Sequence, residues 1–208
     1  MVCVASTHMK TQILLIGGGN AFEKHEDYLK YLETRHVSLD HFRANMNWKN
    51  GLQTLLGNEF DVLIPQMPNN QNARYSEWKI WFERILLLLD GEIIFIGHSM
   101  GGLFLMKYLS ENTCLVKIRA TFLLAAPFVS KGEYPLADFY TDSQLIGVEN
   151  QAGHIFIYHS TDDPTVPTLC AERYKKALPG AHLCILEGCG HLNQKDFPEI
   201  IEAIRSLK

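Results

Sequence analysis

Three short stretches carry the residue types that make a serine reactive. Gly97-His98-Ser99-Met100-Gly101 has the form G-x-S-x-G. "HSTDDPTVP" offers Asp162 and Asp163, and "LEGCGHLNQ" offers His191 behind Gly190. A serine hydroxyl is a weak nucleophile. It attacks a carbonyl only when a base takes its proton and a carboxylate orients that base. Serine, acid and histidine follow one another here in the order required when the serine stands on a strand-to-helix turn. Of the rival histidines, His154 and His159 precede the acid and His98 adjoins the serine; His191, behind Gly190 in the turn after the last strand, is the candidate base. Asp162 and Asp163 compete as the acid; one of two adjacent aspartates ordinarily caps a turn.

These stretches need a scaffold that brings them together. "QILLIG" (12–17), "FDVLIP" (60–65), "EIIFIG" (92–97), "RATFLLAA" (119–126), "HIFIYHS" (154–160) and "AHLCILE" (181–187) read as strands. They are almost continuously apolar, which suits parallel strands covered on both faces. Helical spacing separates them. Trp48, Leu52, Leu55 and Leu56 form one apolar stripe, and Trp78, Trp81, Phe82, Ile85, Leu88 and Leu89 form a second before Asp90-Gly91. Residues 169–178 form a helix that stops at Pro179-Gly180, and Phe197, Ile200, Ile201, Ile204 and Leu207 form a last stripe. Alternating strands and helices give an α/β sheet with right-handed crossovers. The candidate serine, acid and histidine all fall at strand carboxyl ends, where ligands gather in such sheets.

Glycines at 97 and 101 have a mechanical purpose. A sharp strand-to-helix turn strains the serine and leaves no room for side chains two residues to either side. The helix "MGGLFLMKYLS" then directs its positive end at Ser99. The oxyanion of an acyl-transfer intermediate needs two fixed donors. The Met100 N–H is one, and Gly18 and Gly19 in "GGGNAF" are the candidates for the other. A nucleotide-phosphate loop is disfavoured there, because Phe22 stands where Gly or Ala is required and no G-K-[ST] follows. The stretch between Ala126 and His154 has room for little more than a short helix, so little or no lid is expected. Phe22, Phe128, Tyr134, Phe139 and Tyr140 are candidates for an aromatic substrate wall.

A chain of 208 residues with 47% hydrophobic and 20% charged residues is ordinary for one globular domain. Residues 1–9 read as a tag or a ragged terminus. The net charge of −4 argues against a nucleic-acid partner. Five scattered cysteines without a C-x-x-C pair give neither a disulfide framework nor a zinc site. No secretory leader or membrane-spanning run is evident, so a cytoplasmic protein is expected.

With these segments in place, the chain resembles the α/β-hydrolase superfamily, and within it the small serine hydrolases related to retinoblastoma-binding protein 9. That group carries a G-H-S-x-G turn, an S-x-D-D-P-x-x-P acid loop and a C-G-H histidine loop. They stand here as Gly97 to Gly101, Ser160 to Pro167, and Cys189-Gly190-His191. The resemblance implies a compact α/β-hydrolase fold of about six mainly parallel strands with helices on both faces. It also selects Asp163, three residues before Val166-Pro167, as the acid. The implied enzyme is a carboxylesterase-like serine hydrolase. It would act on a small ester, thioester or amide through Ser99, His191 and Asp163, without metal or organic cofactor. The alternative is a weakly active protein of this fold that works by binding a protein partner. Two departures from the group are the loop "GGGNAF" and an additional segment, roughly Val37 to Asn50.

Overall fold

The computed structural model describes residues 10–39, 43, 47–133, 136–141, 145 and 147–207. Six strands run in the order β2-β1-β3-β4-β5-β6, every neighbouring pair parallel. They are β1 (Thr11–Ile16), β2 (Phe60–Leu63), β3 (Glu92–His98), β4 (Lys117–Leu124), β5 (His154–Ser160) and β6 (His182–Leu186). Each coincides with an apolar run in the sequence. The helices are α1 (His25–Thr34), α2 (Trp48–Leu56), α3 (Tyr75–Leu86), α4 (Met100–Glu111), α5 (Leu169–Ala177) and α6 (Pro198–Ser206).

The side chains of β1 divide between two apolar layers. Leu14 and Ile16 join a cluster with Trp78 and Phe82 of α3, Phe104 of α4 and Tyr174 of α5. Ile13 and Leu15 join the opposite one, with Trp48 and Leu52 of α2 and Ile200 and Ile204 of α6. The chain therefore forms a parallel α/β sheet covered on both faces, as the resemblance implies, and β3, at its centre, is buried from Ile93 to His98.

Helix α3 buries Tyr75, Trp78, Phe82 and Leu86. Its first N–H, from Tyr75, is received by the Asp138 carboxylate at 2.9 Å. Two residues expected on its inner stripe lie elsewhere. Trp81 falls at the edge of the buried face and is 43% exposed. Leu88 lies beyond the end of α3 at Leu86, where helical spacing no longer applies, and is 81% exposed. Between β4 and β5 the described residues contain turns but no helix or strand, and so form no helical lid.

The turn from β3 into α4 is packed without slack. A Cβ on Gly101 would lie 2.1 Å from the Ile16 carbonyl oxygen, and one on Gly97 2.5 Å from the Gly102 Cα. Between these glycines Ser99 adopts φ 55° and ψ −126°, a conformation that side-chain-bearing residues rarely take. Ser99→Gly should therefore be more stable than Ser99→Ala by about 1 kcal/mol, because only glycine takes that conformation without strain. Gly101→Ala should lose about 3 kcal/mol through the overlap with β1. Urea unfolding of the three variants tests both; equal stability of the two Ser99 variants would show that the turn stores no strain.

Candidate active site

Ser99 lies at the joint of β3 and α4, held through its backbone. Its N–H donates to the Leu124 carbonyl at 2.8 Å, and its carbonyl accepts from Gly102 N–H at 2.9 Å. The hydroxyl makes no capping bond to α4 and, among the described residues, none to His191. Gly18 passes directly against it: a Cβ there would lie 3.1 Å from Ser99 Cβ and 3.5 Å from Oγ. Gly19 is pressed on the other side, where a Cβ would lie 2.3 Å from the Asn70 carbonyl oxygen. The same carbonyl accepts the Asn20 N–H at 2.8 Å, which fixes the path of the glycine loop. Met100 is buried at the first position of α4.

The two aspartates have separate partners. Asp163, its side chain fully buried, accepts from the N–H groups of Thr165 and Val166 at 2.8 and 3.0 Å through Oδ1. Its Oδ2 receives His191 Nδ1 at 2.8 Å. In a neutral ring that bond fixes the proton on Nδ1 and leaves Nε2 as an acceptor. His159 lies 3.7 Å from the same oxygen, but its Nε2 donates to the Val166 carbonyl at 2.8 Å. Asp162 instead ties the two loops together, accepting from the Ser160 hydroxyl and from the Gly190 N–H at 3.1 Å. The Ser160 hydroxyl holds the Asp162 carboxyl below the usual carboxylate range.

His191 is carried by a loop with two residues in the left-handed region, Gly190 and Leu192, both at φ 50°. That loop rests on β3 and on the first turn of α2. The His191 carbonyl accepts from His98 Nε2 at 2.9 Å, and the Leu192 carbonyl from Trp48 Nε1 at 2.9 Å. Lys49 Nζ donates to Asn193 Oδ1 at 2.9 Å, and the Trp48 N–H to the Gln194 carbonyl at 3.2 Å. The rings of His98 and His191 stand 5.0 Å apart, which places His191 beside the Ser99 turn.

A cavity of about 440 Å³ opens at Ser99 and Met100. Phe22 and Tyr31 form one side, their rings 5.1 Å apart. Val129, Leu136, Val166 and Cys170 form much of the other. Among the described residues, no charged one lines it. Of the four expected aromatics that are described, only Phe22 is found in this wall. Phe128 packs its ring on Tyr174, and Phe139 is fully buried against Tyr75 and Trp78. Tyr140 lies under the Lys107 ammonium, 4.3 Å from the ring centre. Tyr134 lies outside the described residues. Val166 and Cys170 follow Asp163 closely enough in the chain to be inferred from it; Tyr31 carries no such signal.

The sequence matches the family model "Serine hydrolase" over residues 43–205, and the chain belongs to that family. It is 28% identical over 162 residues to the serine hydrolase RBBP9 of Rattus norvegicus, covering 76% of this chain and 83% of the relative. Among solved structures it resembles the ydeN gene product of B. subtilis, with a TM-score of 0.69 at 17% identity over 95% of this chain and 98% of that one. A carboxylesterase structure from the thaumarchaeon Nitrososphaera gargenis matches with a TM-score of 0.62 at 16% identity, over 96% of this chain and 90% of that one.

Burial, followed by the nearby Lys49 charge, pushes the His98 imidazole down to about 3 from its ordinary 6.5. Between those values the unfolded chain binds a proton at His98 that the folded chain does not. The contribution of neutral His98 to stability is therefore complete above about pH 6.5. It is lost as pH falls through this window, at up to about 1.4 kcal/mol per pH unit. Urea unfolding at pH 7, 6 and 5 should show a steeper decline for the unsubstituted protein than for His98→Gln. Parallel declines would mean that His98 accepts a proton freely in the fold.

Proposed function

We propose that this serine hydrolase cleaves carboxylic esters, with thioesters and amides open to the same chemistry, through Ser99, His191 and Asp163. The observation that carries the reading is the His191–Asp163 hydrogen bond beside a strained Ser99 turn that opens into an apolar cavity. His191 Nε2 takes the hydroxyl proton as Ser99 Oγ attacks the carbonyl carbon. The Asp163 carboxylate stabilises the resulting imidazolium. Negative charge that develops on the carbonyl oxygen falls to the Met100 N–H and to the loop of Gly18 and Gly19. The imidazolium then protonates the leaving group, and the C–O bond breaks to leave an acyl-serine. Water, deprotonated by His191, releases the acid and restores the serine.

The cavity supports a small apolar acyl group. Among the described residues its wall carries no charge, and burial of each further methylene contributes about 0.8 kcal/mol, or roughly a fourfold change in binding. Specificity for 4-nitrophenyl esters should thus rise from acetyl to hexanoyl in kcat/KM. A flat series would remove this cavity as the acyl site.

Labelling with a fluorophosphonate probe, read by mass spectrometry, tests the nucleophile. Label is expected on Ser99 alone, and none in Ser99→Ala or His191→Ala. Absence of label on folded protein would overturn the hydrolytic reading and direct attention to a protein partner. Asp163→Asn should lower kcat by about ten-thousandfold, the scale on which a base loses its correct tautomer. Asp162→Asn should lower it far less, because Asp162 ties the loops without touching the imidazole. Similar losses in both would exchange the roles assigned to the two carboxylates.

A further inference from the structure

His98 makes two hydrogen bonds whose directions are fixed by chemistry. A carbonyl oxygen can only accept, so His98 Nε2 must carry a proton toward the His191 carbonyl 2.9 Å away. In the neutral ring Nδ1 is then an acceptor, and it faces the Lys49 ammonium at 3.1 Å, which can only donate. Lys49, with a second bond to Asn193 Oδ1 at 2.9 Å, has no carboxylate partner among the described residues. The ammonium, the imidazole and the His191 carbonyl thus form a directed chain that begins on α2 and ends on the backbone of the histidine loop.

We propose that Lys49 and His98 are positioning residues for His191: they fix the backbone from which its imidazole reaches both Asp163 and Ser99. The inference rests on the role of His191 as base put forward above. Local preference does not hold this backbone, since Gly190 and the non-glycine Leu192 flank His191 at φ 50°. An anchor on the intervening carbonyl removes that freedom. The anchor itself is rigid, because His98 ends the central strand and is 3% exposed. Burial lowers the Lys49 ammonium to about 8, so near neutral pH it remains mainly a donor. Neutral His98 preserves the sequence of donors, since an imidazolium would set a second N–H against the ammonium. Trp48 and Lys49, in the first turn of α2, both contact this loop.

Neither His98 nor Lys49 lines the cavity, so their loss should change turnover rather than substrate binding. His98→Leu, His98→Gln, Lys49→Met and the double variant His98→Leu/Lys49→Met are compared with the unsubstituted protein. The readouts are fluorophosphonate labelling rate and hydrolysis of 4-nitrophenyl butyrate. His98→Leu is expected to lower kcat by ten- to a hundredfold, roughly the effect of misplacing a catalytic group by 1 Å, with KM changed less than about twofold. His98→Gln retains an N–H toward the carbonyl and should recover most of that rate. The double variant should be no slower than His98→Leu, because the two residues act in series. The downfield proton resonance of the His191–Asp163 hydrogen bond should broaden in His98→Leu and return in His98→Gln. If His98→Leu does not fold, Lys49→Met carries the same comparison, with an expected kcat loss of about three- to tenfold. Labelling and kcat at the unsubstituted rate in these variants would overturn the inference while leaving the hydrolase reading intact. Absence of Ser99 labelling in the unsubstituted protein would overturn both.

Discussion

The candidate active site depends first on how closely the turn after β3 approaches its neighbours. The Ile16 carbonyl occupies the space that a side chain on Gly101 would need, and the backbone of Gly102 occupies that of Gly97. A side chain on Gly102 would in turn meet Ala126 at 2.5 Å. This contact between backbones lets a helix buried over its first ten residues start immediately at the end of the central strand. Ser99 has no relaxed conformation available between two elements whose positions are already determined. β3 is paired on both sides, with β1 and β4, and α4 is buried from Met100 to Leu109. The strain at the serine is maintained by the core on either side of it.

His191 is held by different means. A Cβ on Gly188 or Gly190 would meet nothing within 4 Å; directed hydrogen bonds and the buried Leu192 confine its loop. Asp163 receives the imidazole, Asp162 receives the Gly190 N–H, and donors from His98 and Trp48 hold successive carbonyls. The two halves of the site therefore respond to different perturbations. Steric change reaches the serine, whereas loss of a donor or acceptor reaches the histidine. The adjacent aspartates show the economy of this arrangement, since consecutive carboxylates on one turn face the imidazole and its supporting backbone.

Much of this was legible in the residues themselves. Long apolar runs placed all six strands, because a strand covered on both faces leaves few positions for polar residues. The glycines around Ser99 were equally legible, since their reason is a local exclusion of volume. The order of serine, acid and histidine needed only the rule that each lies at a strand end. The cavity wall was not legible. Aromatic character alone does not reveal whether a ring faces a pocket or the core, and Phe128 and Phe139 proved to pack inward. Helix α1 gave no periodic signal because it buries none of its residues, yet it supplies Tyr31. The Lys49–His98 contact joins residues 49 apart in the chain and is encoded in no motif.

Helix α1 also separates two kinds of evolutionary freedom. It contributes a side of the cavity while adding no buried residue to either apolar layer. Substitution along it can reshape what the cavity admits without opening a void beneath the sheet. The central sheet, by contrast, tolerates little change because its packing and its chemistry share the same atoms. On the function proposed above, selectivity can drift on a surface helix while the geometry around Ser99 stays locked, so a change in what is accepted need not be accompanied by loss of fold.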